Sequence, residues 1–121
     1  MSQWTHLNGQ VRIDGFPGHT KKPNFGTAYD VPCGSEGSVR FRYDEVGTGM
    51  VWTNVSIWGD LRDYNDVQEI VNWISKCTEG YIIRSGILEI DIEYAKMFIL
   101  RYNYKSKSWD IVYDAKNEYD L

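Results

Sequence analysis

The stretch DYNDVQEIVNWISKCTEG, residues 63–80, is where the hydrophobic period of this chain changes. Val67, Ile70, Val71, Ile74 and Cys77 recur at helical steps between Tyr64 and Thr78, so this segment is expected to form a helix with one apolar face. Asp63 or Asn65 is placed to accept the free amides of the first turn, with Asp66 and Gln68 at the matching third positions. Gly80 supplies the left-handed stop.

Outward from this helix the period is two. Trp4 to Ile13 sets Leu7, Val11 and Ile13 against Trp4, His6, Asn8, Gln10 and Arg12, which reads as a strand with one buried face. Ser38 to Tyr43 sets Val39, Phe41 and Tyr43 against Arg40 and Arg42. After a turn over Glu45 to Gly49, Met50 to Trp58 sets Val51, Thr53, Val55 and Ile57 against Trp52, Asn54, Ser56 and Trp58. These two segments form a hairpin with an apolar face and a cationic, aromatic and polar face. Beyond the helix, Tyr81 to Arg84 is apolar and β-branched and Gly86 interrupts it. Ile87 to Tyr94 then sets Leu88, Ile90 and Ile92 against Glu89, Asp91 and Glu93. Lys96 to Tyr104 and Trp109 to Tyr113 follow as strands around a turn at Lys105 to Ser108. The expected fold is α+β, a mostly antiparallel sheet of five to six strands with one main helix packed on one face. It occupies a single domain over residues 1–114, followed by a polar tail over 115–121.

Between the first two strands, Asp14 to Gly37 holds Gly15, Pro17, Gly18, Pro23, Gly26, Pro32, Gly34 and Gly37, a density of punctuators incompatible with regular structure. Long loops in compact domains are commonly functional or disordered. Phe16, Phe25 and Tyr29 favour docking of this one.

Over 121 residues, hydrophobic side chains at 42% and charged ones at 25% are ordinary globular values and fit one core. The longest apolar runs, such as Met97 to Leu100, fall far short of the roughly 20 residues that span a bilayer. Met1 to Gly9 lacks the charged start and apolar stretch of a signal peptide, so a cytoplasmic location is expected. Cys33 and Cys77 have no partner at a metal-like spacing and are expected to be free thiols. A net charge of −4 argues against a general grip on DNA or RNA while leaving room for a local anion pocket. Aromatic content is the oddity, at 15% with five Trp and nine Tyr, residues that serve both cores and binding surfaces.

Chemistry of the nucleophilic or metal-assisted kind finds little support. His6 and His19 are the only histidines, neither lies in a triad or elbow pattern, and no calcium loop or two-histidine helix pair occurs. No cofactor and no metal are expected, and binding is favoured over catalysis. The segment Pro32-Cys33-Gly34-Ser35-Glu36-Gly37-Ser38 carries most weight as a binding element. Its glycines permit close approach, its hydroxyls and amides can donate to phosphate oxygens, and Glu36 can accept from a donor-rich base edge such as that of guanine. The competing reading is a tight turn leading into a strand. Gly59-Asp60-Leu61-Arg62-Asp63, where a strand is expected to yield to the helix, offers Arg62 to a phosphate or a base, unless Arg62 simply pairs with Asp60 or Asp63. Trp4, Trp52 and Trp58 are candidate stacking platforms, or else core or subunit-contact residues. His6 shares a strand face with Trp4, where a hydrogen-bonded structural role competes with a ligand role.

Taken as a set, Trp4-Thr5-His6 with Gly9, Gly34-Ser35-Glu36-Gly37-Ser38, and Ser56-Ile57-Trp58-Gly59-Asp60-Leu61-Arg62-Asp63 resemble small bacteriophage proteins of the viral anti-CBASS sponge family. The resemblance runs from the N-terminus through the helix and does not include Asp14 to Val31 or the last third. It implies a homo-oligomer, a tetramer in that family, that sequesters a cyclic dinucleotide such as 3′3′-cGAMP without cleaving it, in the infected host's cytoplasm. It further implies that Glu36 reads guanine, that Gly34 to Ser38 and Arg62 meet phosphate or ribose, and that Trp4, Thr5 and His6 wall the pocket. Two other readings stand beside it. The acidic strand face of Glu89, Asp91 and Glu93 would suit a protein-binding inhibitor that mimics nucleic acid, of anti-CRISPR or anti-restriction type, and a minor virion component is the other.

Overall fold

Alternating side chains build the sheet. In the computed structural model, which describes residues 2–14, 25, 31–46 and 52–116, six strands and one helix follow the chain. They are β1 (Trp4–Asp14), β2 (Arg40–Val46), β3 (Trp52–Arg62), α1 (Val67–Thr78), β4 (Ile82–Ile92), β5 (Lys96–Asn103) and β6 (Ser108–Lys116). The strands form one antiparallel sheet in the order β2-β3-β1-β4-β5-β6, and α1 covers one side of it, as the periodicity predicts. β1 is central and pairs along nearly its whole length with β3 on one side and β4 on the other. No helix among the described residues is long and apolar enough to cross a membrane.

The dry face is built chiefly by the inner strands. Leu7, Val11 and Ile13 of β1, Val55, Ile57 and Leu61 of β3, Leu88, Ile90 and Ile92 of β4, and Leu100 of β5 are buried with Ile70, Trp73, Ile74 and Cys77 of α1. Burial pushes the Cys77 thiol up to about 12, so it behaves as a small apolar group, and both Cys33 and Cys77 are free. A helix of 12 residues is only about 18 Å long. It lies toward β4 and β6 and leaves the β2 side of the dry face to other cover. Phe25 supplies part of that cover. It is fully buried, packs edge-on against Trp73 and Tyr43 and at a tilt against Phe41, and its carbonyl accepts from Trp73 Nε1 at 3.2 Å. Docking of the long loop is therefore seen at Phe25, while Phe16 and Tyr29 lie outside the described residues.

Several boundaries differ from the sequence reading. β3 continues through Gly59, Asp60 and Leu61 to Arg62, so this stretch is strand and not a turn. The helix begins at Val67 and not at Tyr64, and its N-cap is Asp66, whose side chain accepts from Glu69 N at 3.0 Å. Asp63, one of the two expected caps, instead takes a positive φ of 53° at the corner after β3. Gly80 has the expected left-handed backbone, with φ of 81°. β4 passes through Gly86 unbroken, and β6 includes Ala115 and Lys116, two residues assigned to the tail; residues 117–121 lie outside the described set. Gly86 is obligatory in its place, because the Trp109 ring packs where a Cβ would stand.

The cap assignment gives a direct test. Asp66→Ala is expected to cost about 1 kcal/mol in urea unfolding, whereas Asn65→Ala costs at most a few tenths.

Candidate functional site

The uncovered face of the sheet presents the even-numbered residues of β1 and β3. Along β1 these are Trp4, His6, Asn8, Gln10, Arg12 and Asp14; opposite them in β3 stand Arg62, Asp60, Trp58, Ser56, Asn54 and Trp52. The two ends of this face differ in charge.

At one end the structure gathers most of the residues singled out from sequence. Gly34 to Ser38 makes a tight turn closed by a bridge between Cys33 and Ser38 and by Gly34 N donating to Gly37 O at 2.9 Å. It lies flat on the end of β3, with Ser35 N donating to Arg62 O at 2.8 Å and Arg62 N to Glu36 O at 3.0 Å. Gly37 has φ of 77° and faces the Asp60 carbonyl so closely that no Cβ would fit. Arg62 Nη1 donates to Glu36 Oε1 at 2.6 Å, its Nε donates to Ser2 Oγ at 2.9 Å, and the Ser35 hydroxyl donates to Asp63 Oδ2 at 3.2 Å. Trp4 stands opposite Arg62. Thr5 does not join them: it is fully buried on the helix side, and its hydroxyl donates to the Tyr64 carbonyl.

His6 ties three strands together here. Its Nδ1 lies 2.5 Å from Asp60 Oδ1 of β3 and its Nε2 lies 3.0 Å from Glu93 Oε2, just past the end of β4. An imidazolium alone can donate to both carboxylates. The Asp60 hydrogen bond, supported by Glu93 and opposed by partial burial, raises the His6 pKa, and His6 in turn lowers that of Glu93. With Asp60, Asp63, Glu36 and Glu93 against Arg62 and His6, this end carries an excess of negative charge and its hydroxyls and guanidinium are already engaged. An anion approaching Arg62 would meet the Glu36 and Asp63 carboxylates beside it.

The other end of the open face is the reverse. A cavity of about 380 Å³ is lined by Gln10, Arg12, Asn54, Arg84, Ser85, Gly86, Ile87, Arg101 and Tyr102, with three guanidinium groups and, among the described residues, no carboxylate. A β-bulge makes it. Arg12 pairs with Ser85 but Ile13 pairs with Ile83, so Arg84 is the extra residue of β4. Both Arg84 and Ser85 then stand exposed before burial resumes at Gly86 and Leu88. Asp14, whose side chain is 12% exposed, holds two of the arginines: Arg84 Nε donates to its Oδ2 at 2.9 Å and Arg12 Nε to its Oδ1 at 3.3 Å. The Arg12 guanidinium also lies 4.4 Å from the Trp52 ring centre. Arg101, opposite Ile87 in the next strand, has no carboxylate within ion-pair distance among the described residues. Three guanidiniums beside one nearby carboxylate leave a positive, hydrogen-bond-rich recess with the geometry to grip phosphate or carboxylate oxygens.

The sequence carried a trace of this site. The buried residues of β4 shift phase, from Ile83 to Leu88, Ile90 and Ile92, and that slip is the mark of a bulge between them. No family model, no curated protein and no solved structure matches the chain.

The His6 cluster sets a pH response. Its Glu93 contribution is present above the ordinary glutamate value of 4.5 and is lost as pH falls through the lowered folded value; its His6 contribution is present below the ordinary histidine value of 6.5 and is lost as pH rises through the raised one. Melting temperature is therefore expected to fall as pH rises above the ordinary histidine value of 6.5 in the native chain and to lose most of that slope in His6→Gln, as followed by circular dichroism.

Proposed function

We propose that this chain is a non-catalytic binding protein that sequesters a small, doubly anionic, base-bearing ligand of the cyclic dinucleotide class, with 3′3′-cGAMP as its type. The observation that carries the reading is the convergence of Arg12, Arg84 and Arg101 on one cavity in a chain of net charge −4. Guanidinium pairs match phosphate oxygens, and Gln10, Asn54 and Ser85 add neutral donors and acceptors beside them. The cavity takes the charged ring of such a ligand and leaves its bases on the surrounding sheet face. Trp52 and Trp58 present aromatic rings there, Trp58 being 41% exposed. The likeness of the N-terminal half to the anti-CBASS sponge family points to the same ligand and to action in the cytoplasm of an infected host.

In this reading Glu36 and the Gly34–Ser38 turn are structural, because Glu36 pairs with Arg62 and the Gly34 and Ser35 amides donate to Gly37 O within the turn and to Arg62 O of β3. The oligomer that the resemblance implies would meet along the edge strand β6, where Ile111, Val112 and Tyr113 are all exposed. Light scattering of the purified chain tests that part separately.

A second reading draws on the acidic end. Asp60, Asp63, Asp91 and Glu93 gather where a basic partner could dock, which favours an inhibitor that binds a host defence enzyme. Under that reading Asp91→Lys abolishes inhibition while leaving nucleotide titrations blank.

Calorimetric titration with 3′3′-cGAMP decides for or against the first reading. Binding tighter than about 10 μM is expected, weakening with added salt. Arg101→Ala should lower affinity about tenfold or more without moving the melting temperature, and Glu36→Ala should change it less than about twofold. Nucleotide released by heating should return intact. Cleaved product would make the protein an enzyme, and no measurable binding would remove the proposal.

A further inference from the structure

Between the C-terminal end of α1 and the β5–β6 hairpin lies a groove of about 700 Å³ that shares only Tyr102, among the described residues, with the arginine cavity. Its size is that of a site for a small organic molecule. Aromatic rings form its walls: Trp109 is packed edge-on by Tyr102 with centroids 5.6 Å apart, and Tyr104 stands 62% exposed at the rim. The floor asks for nothing polar. Trp109 Nε1 donates to Thr78 Oγ1 at 3.0 Å, and that hydroxyl donates in turn to the Ile74 carbonyl at 2.8 Å. Whatever fills the groove is therefore apolar over most of its surface.

Charge enters only at the mouth. Lys76, in the last turn of α1, and Lys107, in the β5–β6 turn, both line the groove, and neither has a carboxylate within ion-pair distance among the described residues. Glu79 is the single carboxylate of the lining among the described residues. Burial raises the pKa of Tyr102, with Tyr104 adding to it, so its hydroxyl stays protonated and able to donate. Two ammonium groups beside an aromatic trough describe a recognition pattern: a flat ring system lies against the exposed Tyr104 ring while an acidic group on its edge reaches the lysines.

We propose that this groove is a binding site for a small planar aromatic acid, of the aryl carboxylate or aryl sulfonate class. It is independent of the arginine cavity, and Tyr102 alone borders both.

The probe is 1-anilinonaphthalene-8-sulfonate, with the uncharged N-phenyl-1-naphthylamine as its neutral counterpart, titrated into the full chain by fluorescence and calorimetry. One saturable site per chain is expected for the sulfonate, with near-ultraviolet circular dichroism unchanged, because dye uptake by a loosened core would alter that signal. Lys76→Ala combined with Lys107→Ala should weaken the sulfonate at least about fivefold and the neutral amine less than about twofold. Tyr104→Ala should weaken both. None of these changes should alter titration with 3′3′-cGAMP, so failure here and failure of the nucleotide reading are separable. Absence of saturable sulfonate binding, or unchanged affinity in the double lysine variant with its fold intact, would overturn the proposal.

Discussion

A sheet has two faces, and among the described residues apolar cover lies on only one. The one helix among the described residues, α1, has 12 residues, and Phe25 from the loop supplies further cover over Phe41 and Tyr43. Every odd position of β1 and β3 that meets this cover is apolar or small, and alternation then forces the even positions into water. The polar face is thus a consequence of how the core is closed. Its residues are released from packing duty, and charge can be arranged on them.

That arrangement is asymmetric along the strands. Near the start of β1, the described carboxylates outnumber the cations and both cations are paired: Arg62 with Glu36, and His6 between Asp60 and Glu93. Toward the end of β1, one bulge in β4 changes the balance. By adding Arg84 to the strand it brings a third guanidinium toward Arg12 and Arg101 and opens a recess between them. Exposed ion pairs of the Glu36–Arg62 kind stabilise by only about 0–1 kcal/mol, so their presence at the acidic end speaks for local order more than for large energy. Two arginines leaning on one nearly buried Asp14 are better held, and a held guanidinium loses less freedom when an anion arrives.

The architecture was legible because it rests on local periodicity. Leu7, Val11 and Ile13 repeat at two, Ile70, Ile74 and Cys77 at helical steps, and both periods persist for several residues. The cap was misplaced by a residue or more because Asp63, Asn65 and Asp66 are all good N-cap types, and tertiary contacts choose among them. Arg62 was placed on a turn because Gly59 reads as a breaker; in the fold Gly59 gives room to the Ser38 and Val39 backbone beside β3, a contact between residues far apart in sequence. The Gly34–Ser38 segment was chemically suited to a ligand, yet its partners proved to be Arg62 and Asp63, which no local pattern announces. The arginine cavity stayed unread for the same reason: Arg12, Arg84 and Arg101 lie on three strands, and only the phase slip around Arg84 hinted at their meeting.

The central claim is that the ligand is gripped where β1, β4 and β5 bring their arginines together. Nitrogen–proton correlation spectra of the labelled chain, recorded with and without 3′3′-cGAMP, test it most directly. The account predicts shifts of the Arg12, Arg84 and Arg101 side-chain Nε–H signals and of the Ser85 to Ile87 amides. Shifts confined to Gly34–Ser38 and Arg62, with the three arginines unmoved, would contradict it.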